Sequence, residues 1–118
     1  MGTDRGDAKS DLLPGTLEML ILKTLTLAPM HGYGIAQHIQ QLSQEVLQVE
    51  EGSLYPSLYR MENKGWVKAE WRTTENNRQA KYYRLTAAGR KQLAQSATTW
   101  ATFAEAMGKI MTAVPESV

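Results

Sequence analysis

The 118-residue sequence has the length of one domain, and its 42% hydrophobic and 21% charged residues are typical of a globular protein. It contains no cysteine, which excludes a disulfide framework, a thiol nucleophile and a cysteine-ligated metal site. The longest apolar run, residues 17–29, is interrupted by polar side chains and is too short to cross a bilayer, and the polar start of the chain is unlike a secretory signal. We therefore expect a cytoplasmic protein with no membrane partner.

The net charge of +1 conceals an uneven distribution. Residues 60–91 hold nine cationic and three acidic residues, a net charge of +6, whereas the rest of the chain holds four cationic and nine acidic residues, a net charge of −5. A basic segment on an otherwise acidic chain indicates a polyanionic partner, although a solvated basic surface would give the same charge pattern.

A first helix is predicted from Asp11, a suitable N-cap, to the residues just before Pro29. Pro14 falls in its first turn, where the missing N–H is tolerated. The apolar residues form two stripes, and Met19 and Leu22 lie on the second. A helix that is apolar over so much of its circumference is buried on more than one side, which indicates contact with a second subunit.

Two shorter helices are predicted next. The motif HGYG at residues 31–34 predicts a turn, and apolar residues at i, i+4 and i+7 from Ile35 predict a short amphipathic helix. A third helix is predicted to open near residues 52–53, with Ser53 as its cap, and to end at Gly65 in a left-handed conformation. Its inner stripe consists of Leu54, Leu58 and Met61.

After Gly65 the hydrophobic period changes from about 3.6 residues to about 2. The alternation in residues 66–73 and 81–86 predicts two strands of a β-hairpin, joined by the polar tip TENNRQA. Tyr82 and Tyr83 lie on opposite faces of the second strand, and alternation with Leu85 predicts that Tyr83 is the core residue.

Thr86 is predicted to cap a last helix that Pro115 ends. Its apolar positions follow a heptad pattern: Leu93, Ala97, Trp100, Ala104, Met107, Met111 and Val114. A helix of roughly 28 residues is about 40 Å long, more than a small domain covers, which favours dimerisation over packing on its own domain.

The order of elements predicts a mainly α fold with a β-hairpin wing, a winged helix-turn-helix followed by a long C-terminal dimerisation helix. We expect a flexible tail at residues 1–10, a DNA-binding domain at residues 11–86 and the dimerisation helix at residues 87–115. In this plan the third helix enters the major groove beside the wing. The basic segment covers the end of that helix and both wing strands, so charge and element order indicate one surface.

Four blocks of sequence resemble the PadR family of bacterial transcriptional regulators: GTLEMLILKTL, HGYGIAQHI, EGSLYPSLYRMENKGWV and NNRQAKYYRLTAAGRKQL. The match is collinear from Asp11 to Leu93. The sequences SDLLPGTLEMLILKTL and ENNRQAKYYRLTAAGRKQL are similar to those of the acidobacterial branch of the family. The single predicted C-terminal helix is similar to that of the smaller subfamily. The resemblance implies a dimeric DNA-binding repressor whose first and last helices form the dimer interface.

Nine side chains are candidates for contact with double-stranded DNA: Ser53, Tyr55, Ser57, Tyr59, Arg60, Lys64, Asn77, Arg78 and Lys81. The hydroxyl groups of the helix can donate to phosphates, although a tyrosine could instead support the core and a serine could cap. Arg60 and Lys64 suit phosphates better than bases. The wing residues suit phosphates or base edges, and a solvated hairpin is the alternative.

The candidates for the homodimer interface are Met19, Leu22, Leu93, Trp100, Ala104, Met107 and Met111. A two-fold axis near Trp100 would bring the two indoles together and, with Phe103, form an apolar slot for a small aromatic effector. Packing without a ligand is the alternative. Some PadR-like regulators bind such compounds at the dimer interface, and the resemblance implies the same kind of effector.

We expect no cofactor, no metal and no enzymatic activity. His31 and His38 are seven residues apart across a predicted turn, which does not fit a two-histidine metal site. Glu50 and Glu51 point apart if the chain is extended there, so they do not form an acid–base pair. A DNA-binding repressor and a winged-helix protein-interaction module remain as functions, and the composition of the wing favours DNA.

Overall fold

The computed structural model of the chain describes residues 15–116. Its elements are α1 (Thr16–Leu25), β1 (Met30–His31), α2 (Gly32–Leu42), α3 (Glu51–Asn63), β2 (Val67–Thr73), β3 (Gln79–Leu85) and α4 (Ala87–Met111). The fold is mainly helical with a hairpin wing, as predicted. The predicted tail, the cap Asp11 and Pro14 lie outside the described residues.

The sheet has three antiparallel strands in the order β1-β3-β2, not the two that were predicted. Met30 pairs with Tyr83 and His31 with Tyr82, so the start of HGYG is a strand and the remainder is helix rather than a turn. The His31 Nδ1 accepts a hydrogen bond from the Gly34 N–H at 3.0 Å. This side-chain cap satisfies a free backbone donor and starts α2 directly after the strand.

The core lies between the first three helices and the inner face of the sheet. Its buried apolar residues are Ile21, Leu22, Leu25, Met30, Ile35, Ile39, Leu54, Leu58, Met61, Val67, Tyr83 and Leu85. The predicted inner stripe of α3 is confirmed, and Tyr83 rather than Tyr82 is the core tyrosine. Among residues 15–116, no helix combines the length and the hydropathy needed to span a membrane.

The end of α1 and the start of α3 differ from the prediction. The cap of α1 at its C-terminus is Thr26, whose hydroxyl donates to the Lys23 carbonyl at 2.6 Å, so the helix stops before Pro29 is reached. The N-cap of α3 is Glu50 and not Ser53. Ser53 lies in the first turn, where its N–H donates to the Glu50 carbonyl at 3.0 Å. The capping role predicted for Ser53 is therefore wrong.

The contact of α4 with the domain depends on a close approach at its first turn. Thr86 caps the helix as predicted, because its Oγ1 accepts from the Gly89 N–H at 3.0 Å. The same hydroxyl donates to the carbonyl of Trp66 at 2.9 Å. A Cβ on Gly89 would lie 2.1 Å from that carbonyl oxygen, so only glycine fits here. Gly65, which directly precedes Trp66, has φ +79° and makes the predicted left-handed turn at the end of α3.

Most of α4 projects away from the domain. Leu93 packs against the core, but from Trp100 onward the apolar side chains of the helix are exposed. The helix ends at Met111 rather than at Pro115, because its C-cap Thr112 leaves the helical conformation at φ −102° and ψ 4°. The described chain is 69 Å long and only 21 Å thick, and the free part of α4 accounts for that elongation.

Candidate nucleic-acid interface

The outward face of α3 is formed by a stripe at helical spacing, Gly52, Pro56, Tyr59 and Asn63, opposite the buried stripe of the helix. Tyr59 is 65% exposed, as a contact role requires. Tyr55 lies on the flank toward the wing and is partly exposed. Its ring lies against Gly32, where an added Cβ would come within 2.6 Å of it, so Tyr55 is held at the α2–α3 junction.

Ser57 is only 3% exposed, which corrects its prediction as a phosphate contact. Its Oγ accepts a hydrogen bond from Arg60 Nη2 at 3.0 Å. The hydroxyl is one turn before Arg60 on the same helix, so it positions that guanidinium instead of reaching a phosphate itself.

Arg60 lies on the flank of α3 that faces α1. Its Nε is 3.4 Å from Glu18 Oε2. The side chain is still about half exposed, so it can contact a polyanion while Glu18 lies beside it. The Arg60 guanidinium therefore lies at the surface, but the Glu18 carboxylate of the same domain lies beside it.

The opposite flank of α3 has a matching pair. Lys81 Nζ of the wing lies 3.3 Å from Glu62 Oε1 of α3. This pair joins β3 to α3 at the surface. Lys64, at the end of α3, is exposed and places its ammonium 4.6 Å from the centroid of the Trp66 ring.

The tip of the wing is a tight turn at residues 74–78. The Thr74 N–H donates to the Arg78 carbonyl at 2.7 Å, and the Asn77 N–H donates to the Thr74 carbonyl at 2.9 Å. Asn77 has φ +61°, a conformation that asparagine adopts more readily than most residues. Asn77 and Arg78 are both exposed, as a contact role requires.

A groove of about 640 Å³ separates the wing from the start of α2 and α3, and we call it the wing groove. It is lined by His31, Gly32, Tyr33, Tyr55, Trp71, Thr74, Arg78, Gln79, Ala80, Lys81 and Tyr83. Burial raises the pKa of the Tyr83 phenol, against the opposing effect of the Lys81 ammonium, so the phenol carries no negative charge at neutral pH. The groove thus combines aromatic rings with cations.

Tyr33 and Trp71 are residues of this groove that the sequence prediction missed. Tyr33 is exposed on α2 and begins a polar stripe with Gln37 and Gln41 at intervals of four residues. That stripe, opposite Ile35 and Ile39, was the available signal for an outward-facing tyrosine. Trp71 shares a face of β2 with the buried Val67, but it is not buried there.

The predicted dimer residues fall into two groups. Leu22 is 1% exposed, so its assignment to a dimer interface is corrected: its own domain already covers it. Leu93 packs against the same core but is only partly buried, so its place in a dimer interface stays a prediction. Met19 is half-buried, and Trp100, Ala104, Met107 and Met111 are exposed on α4. The periodicity of α1 located apolar stripes but could not tell which neighbour covers each of them.

A second groove, of about 670 Å³, runs between the start of α1 and the middle of α4. Met19, Trp100 and Phe103 provide its apolar lining, and Gln92, Gln95, Ser96 and Thr99 are among its polar residues. The rings of Trp100 and Phe103 lie 5.9 Å apart at a tilt of 42°. Both side chains predicted for a ligand slot therefore line one groove, with Met19 beside them.

The described residues contain no cluster of three or more histidine, cysteine or acidic side chains able to hold a metal ion. His31 caps α2, and the Nδ1 of His38 lies 3.0 Å from the Gly34 carbonyl, so both histidines have local structural roles.

The helical order, the wing and the basic face define a winged-helix transcriptional regulator. The profile of the transcriptional regulator PadR-like family matches residues 21–95, and the chain belongs to this family. It is similar to a Lysinibacillus sphaericus protein described as uncharacterized, with 29% identity over 103 residues that cover 87% of this chain and 94% of that protein.

Solved structures give the same assignment. A transcriptional regulator from Clostridium thermocellum superposes with a TM-score of 0.74 at 27% identity, over 80% of this chain and 92% of that one. A PadR family transcriptional regulator from Eggerthella lenta superposes with a TM-score of 0.70 at 30% identity, over 85% of both chains.

Proposed function

We propose that this PadR-like protein is a sequence-specific DNA-binding repressor that binds an inverted-repeat operator as a homodimer. The observation that carries the proposal is the coincidence of exposed α3, wing and positive charge on one face. Tyr59, Arg60 and Lys64 lie on or beside the outer face of α3, and Asn77 and Arg78 lie at the tip of the wing. In winged-helix proteins these two elements enter or border the grooves of duplex DNA.

The contacts divide into two chemical kinds. Arg60, Lys64, Arg78 and Lys81 can neutralise phosphates, which supplies affinity without reading sequence. The amides of Asn63 and Asn77 can hydrogen bond to base edges, which supplies specificity. Ser53, at the exposed start of α3, is near the helix N-terminus, where backbone N–H groups favour a phosphate.

The dimer rests on the unpartnered apolar face of α4. Trp100, Met107 and Met111 are exposed at heptad spacing on a helix that extends past its own domain. A second α4, with α1 beside it, would cover this face and form a coiled-coil-like interface. Two-fold symmetry of the protein then requires two-fold symmetry of the operator.

We further propose that the groove at Met19, Trp100 and Phe103 takes a small planar aromatic effector in the dimer. Its aromatic walls offer stacking surfaces, and the neighbouring glutamine and threonine side chains offer hydrogen bonds. The groove lies between α1 and α4, the two elements of the proposed dimer interface, so a ligand there would act on how the two DNA-binding domains are spaced.

The test is selection of bound duplexes from a random pool, followed by a binding titration of the selected sequence at several salt concentrations. We expect an inverted repeat and an affinity that falls steeply with salt. A protein-interaction module would enrich no sequence. A loss-of-binding variant completes the test. The double variant Arg78→Ala with Lys64→Ala removes two proposed phosphate-binding cations from exposed positions and should bind the selected duplex far more weakly.

A further inference from the structure

Trp71 lies where the inner face of the wing extends past the core. It pairs with Lys81 across the hairpin and therefore shares a face with Ala69, Tyr83 and Val67. That face is buried at Val67 and Tyr83 and becomes exposed toward the wing tip, where Trp71 is 66% exposed. The indole lies beyond the edge of the core, on the side of the wing that faces α3.

Both faces of the wing carry cations, and the inner face borders the wing groove. On the outer face, Arg72 Nη2 lies 2.6 Å from Glu70 Oε2, and its guanidinium lies 5.1 Å from the Tyr82 ring. Lys68 and Arg84 are further cations of that face. On the inner face, Trp71 lines the wing groove together with Arg78 and Lys81.

The wing groove is lined by both aromatic and cationic side chains. Tyr33 and Tyr55 line it on the helical side, Trp71 lines it from the wing, and Arg78 lies at the wing tip. A DNA strand offers a partner to each kind, because every anionic phosphate is followed by a deoxyribose with an apolar face. Charge complementarity thus favours a sugar–phosphate strand as the occupant of the groove.

We propose that Trp71 is a DNA-contact residue whose indole packs against a deoxyribose of the strand that Arg78 contacts through phosphate. This inference rests on the proposed function and adds an apolar contact to it. The contact carries no charge, so its signature differs from that of the cations: it contributes affinity without contributing to the salt dependence.

The experiment compares Trp71→Ala and Trp71→Phe with the parent on the selected duplex, across a range of salt concentrations. We expect Trp71→Ala to weaken binding roughly tenfold, as loss of an aromatic contact to nucleic acid does, with an unchanged slope of log affinity against log salt. Trp71→Phe should retain most of the affinity. Leu27→Ala, which removes an exposed apolar side chain outside the groove, is the control and should bind like the parent.

A direct readout uses the variant Trp66→Phe with Trp100→Phe, in which Trp71 is the only tryptophan. Its fluorescence should be quenched readily by acrylamide in the free protein and should be protected when duplex is added. A single strand of the same sequence should protect it far less. Equal protection by the single strand would mean base stacking and would overturn the sugar contact.

The outcomes separate the two proposals. If the parent binds no duplex, the proposed function fails. If the parent binds but Trp71→Ala has the parent's affinity, or the duplex leaves acrylamide quenching of Trp71 unchanged, the inference about Trp71 fails alone.

Discussion

The cations of the proposed interface differ in their partners. Arg60 and Lys81 each lie beside a carboxylate, Glu18 or Glu62, whereas Arg78 is exposed at the tip of the wing. Exposed ion pairs contribute little to folding, so the pairs at the flanks of α3 matter mainly for where the cations are held and how much positive charge DNA meets.

Arg78→Ala should weaken binding to most sequences and reduce the salt dependence. Each phosphate contact contributes about 0.9 to the slope of log affinity against log salt, so one substitution in both subunits should lower the slope by somewhat under 2 in magnitude. Lys81→Ala should act in the same direction. Lys109→Ala, which makes the same charge change on α4, is the control in this titration. An unchanged slope for Arg78→Ala would mean that the wing tip does not contact the backbone.

Glu18→Gln should strengthen DNA binding severalfold. The change removes a negative charge beside Arg60 and frees that guanidinium for a phosphate, so both the affinity and its salt dependence should rise. The free energy of unfolding should change by less than about 1 kcal/mol, because Arg60 is 54% exposed and solvent screens the pair. Glu105→Gln on α4 controls for net charge. Weaker binding by Glu18→Gln would show that the carboxylate serves to orient Arg60.

At the scale of elements, the attachment of α4 determines the direction in which this helix leaves the domain. Gly89→Ala would place a methyl group 2.1 Å from the Trp66 carbonyl oxygen, and backbone cannot yield as a side chain can. We expect a loss of about 1–3 kcal/mol or more in the free energy of unfolding, measured in urea. Gly108→Ala on the same helix meets nothing within 4 Å and should instead stabilise by up to about 1 kcal/mol. Equal effects of the two substitutions would contradict this packing.

Trp100→Ala tests the role of the α1/α4 groove. Trp100 is 40% exposed in the single chain, so its loss should leave the domain folded. If Trp100 forms the wall of a ligand slot, Trp100→Ala should leave the dimer largely intact. The variant should then lose the response of fluorescence and DNA affinity to planar aromatic compounds. The variant Trp66→Phe with Trp71→Phe leaves Trp100 as the only tryptophan, so its fluorescence reports on Trp100 alone. Loss of the dimer, with a cost on the order of 3–5 kcal/mol, would assign it to packing alone.

Local signals in the sequence determine several elements. The alternation through Tyr83 and Leu85 identified the inner face of the wing, and Gly65 and Thr86 marked the boundaries of α3 and α4. Strand β1 was missed because its two residues, Met30–His31, are too few to show a period. It exists only through pairing with β3.

The candidate site depends more on contacts that are distant in sequence. Glu18 and Arg60 are 42 residues apart, and no pattern in the sequence relates them. Ser57 was predicted to face DNA because serine is polar, but its hydroxyl is satisfied by Arg60 and can therefore be buried. Leu22 was predicted to contact a second subunit but is buried in its own domain. Periodicity identifies the apolar face of a helix but does not identify the element that covers it.

At the scale of the whole molecule, the proposed function requires two copies of the wing and α3 held at a fixed distance. The domain itself is small and its core is complete, whereas the 25-residue α4 extends beyond it with apolar side chains exposed. A second copy is the partner that the heptad spacing of those side chains favours. The distance between the two recognition helices then sets the spacing of the half-sites.

Hydroxyl-radical footprinting on the selected duplex tests this account most directly. We predict two protected segments related by a two-fold axis, with half-sites about one helical turn, roughly 10 bp, apart from centre to centre. Each half-site should show protection from α3 and, beside it, from the wing. A single asymmetric protected segment with no repeated half-site would contradict the dimeric DNA-binding repressor.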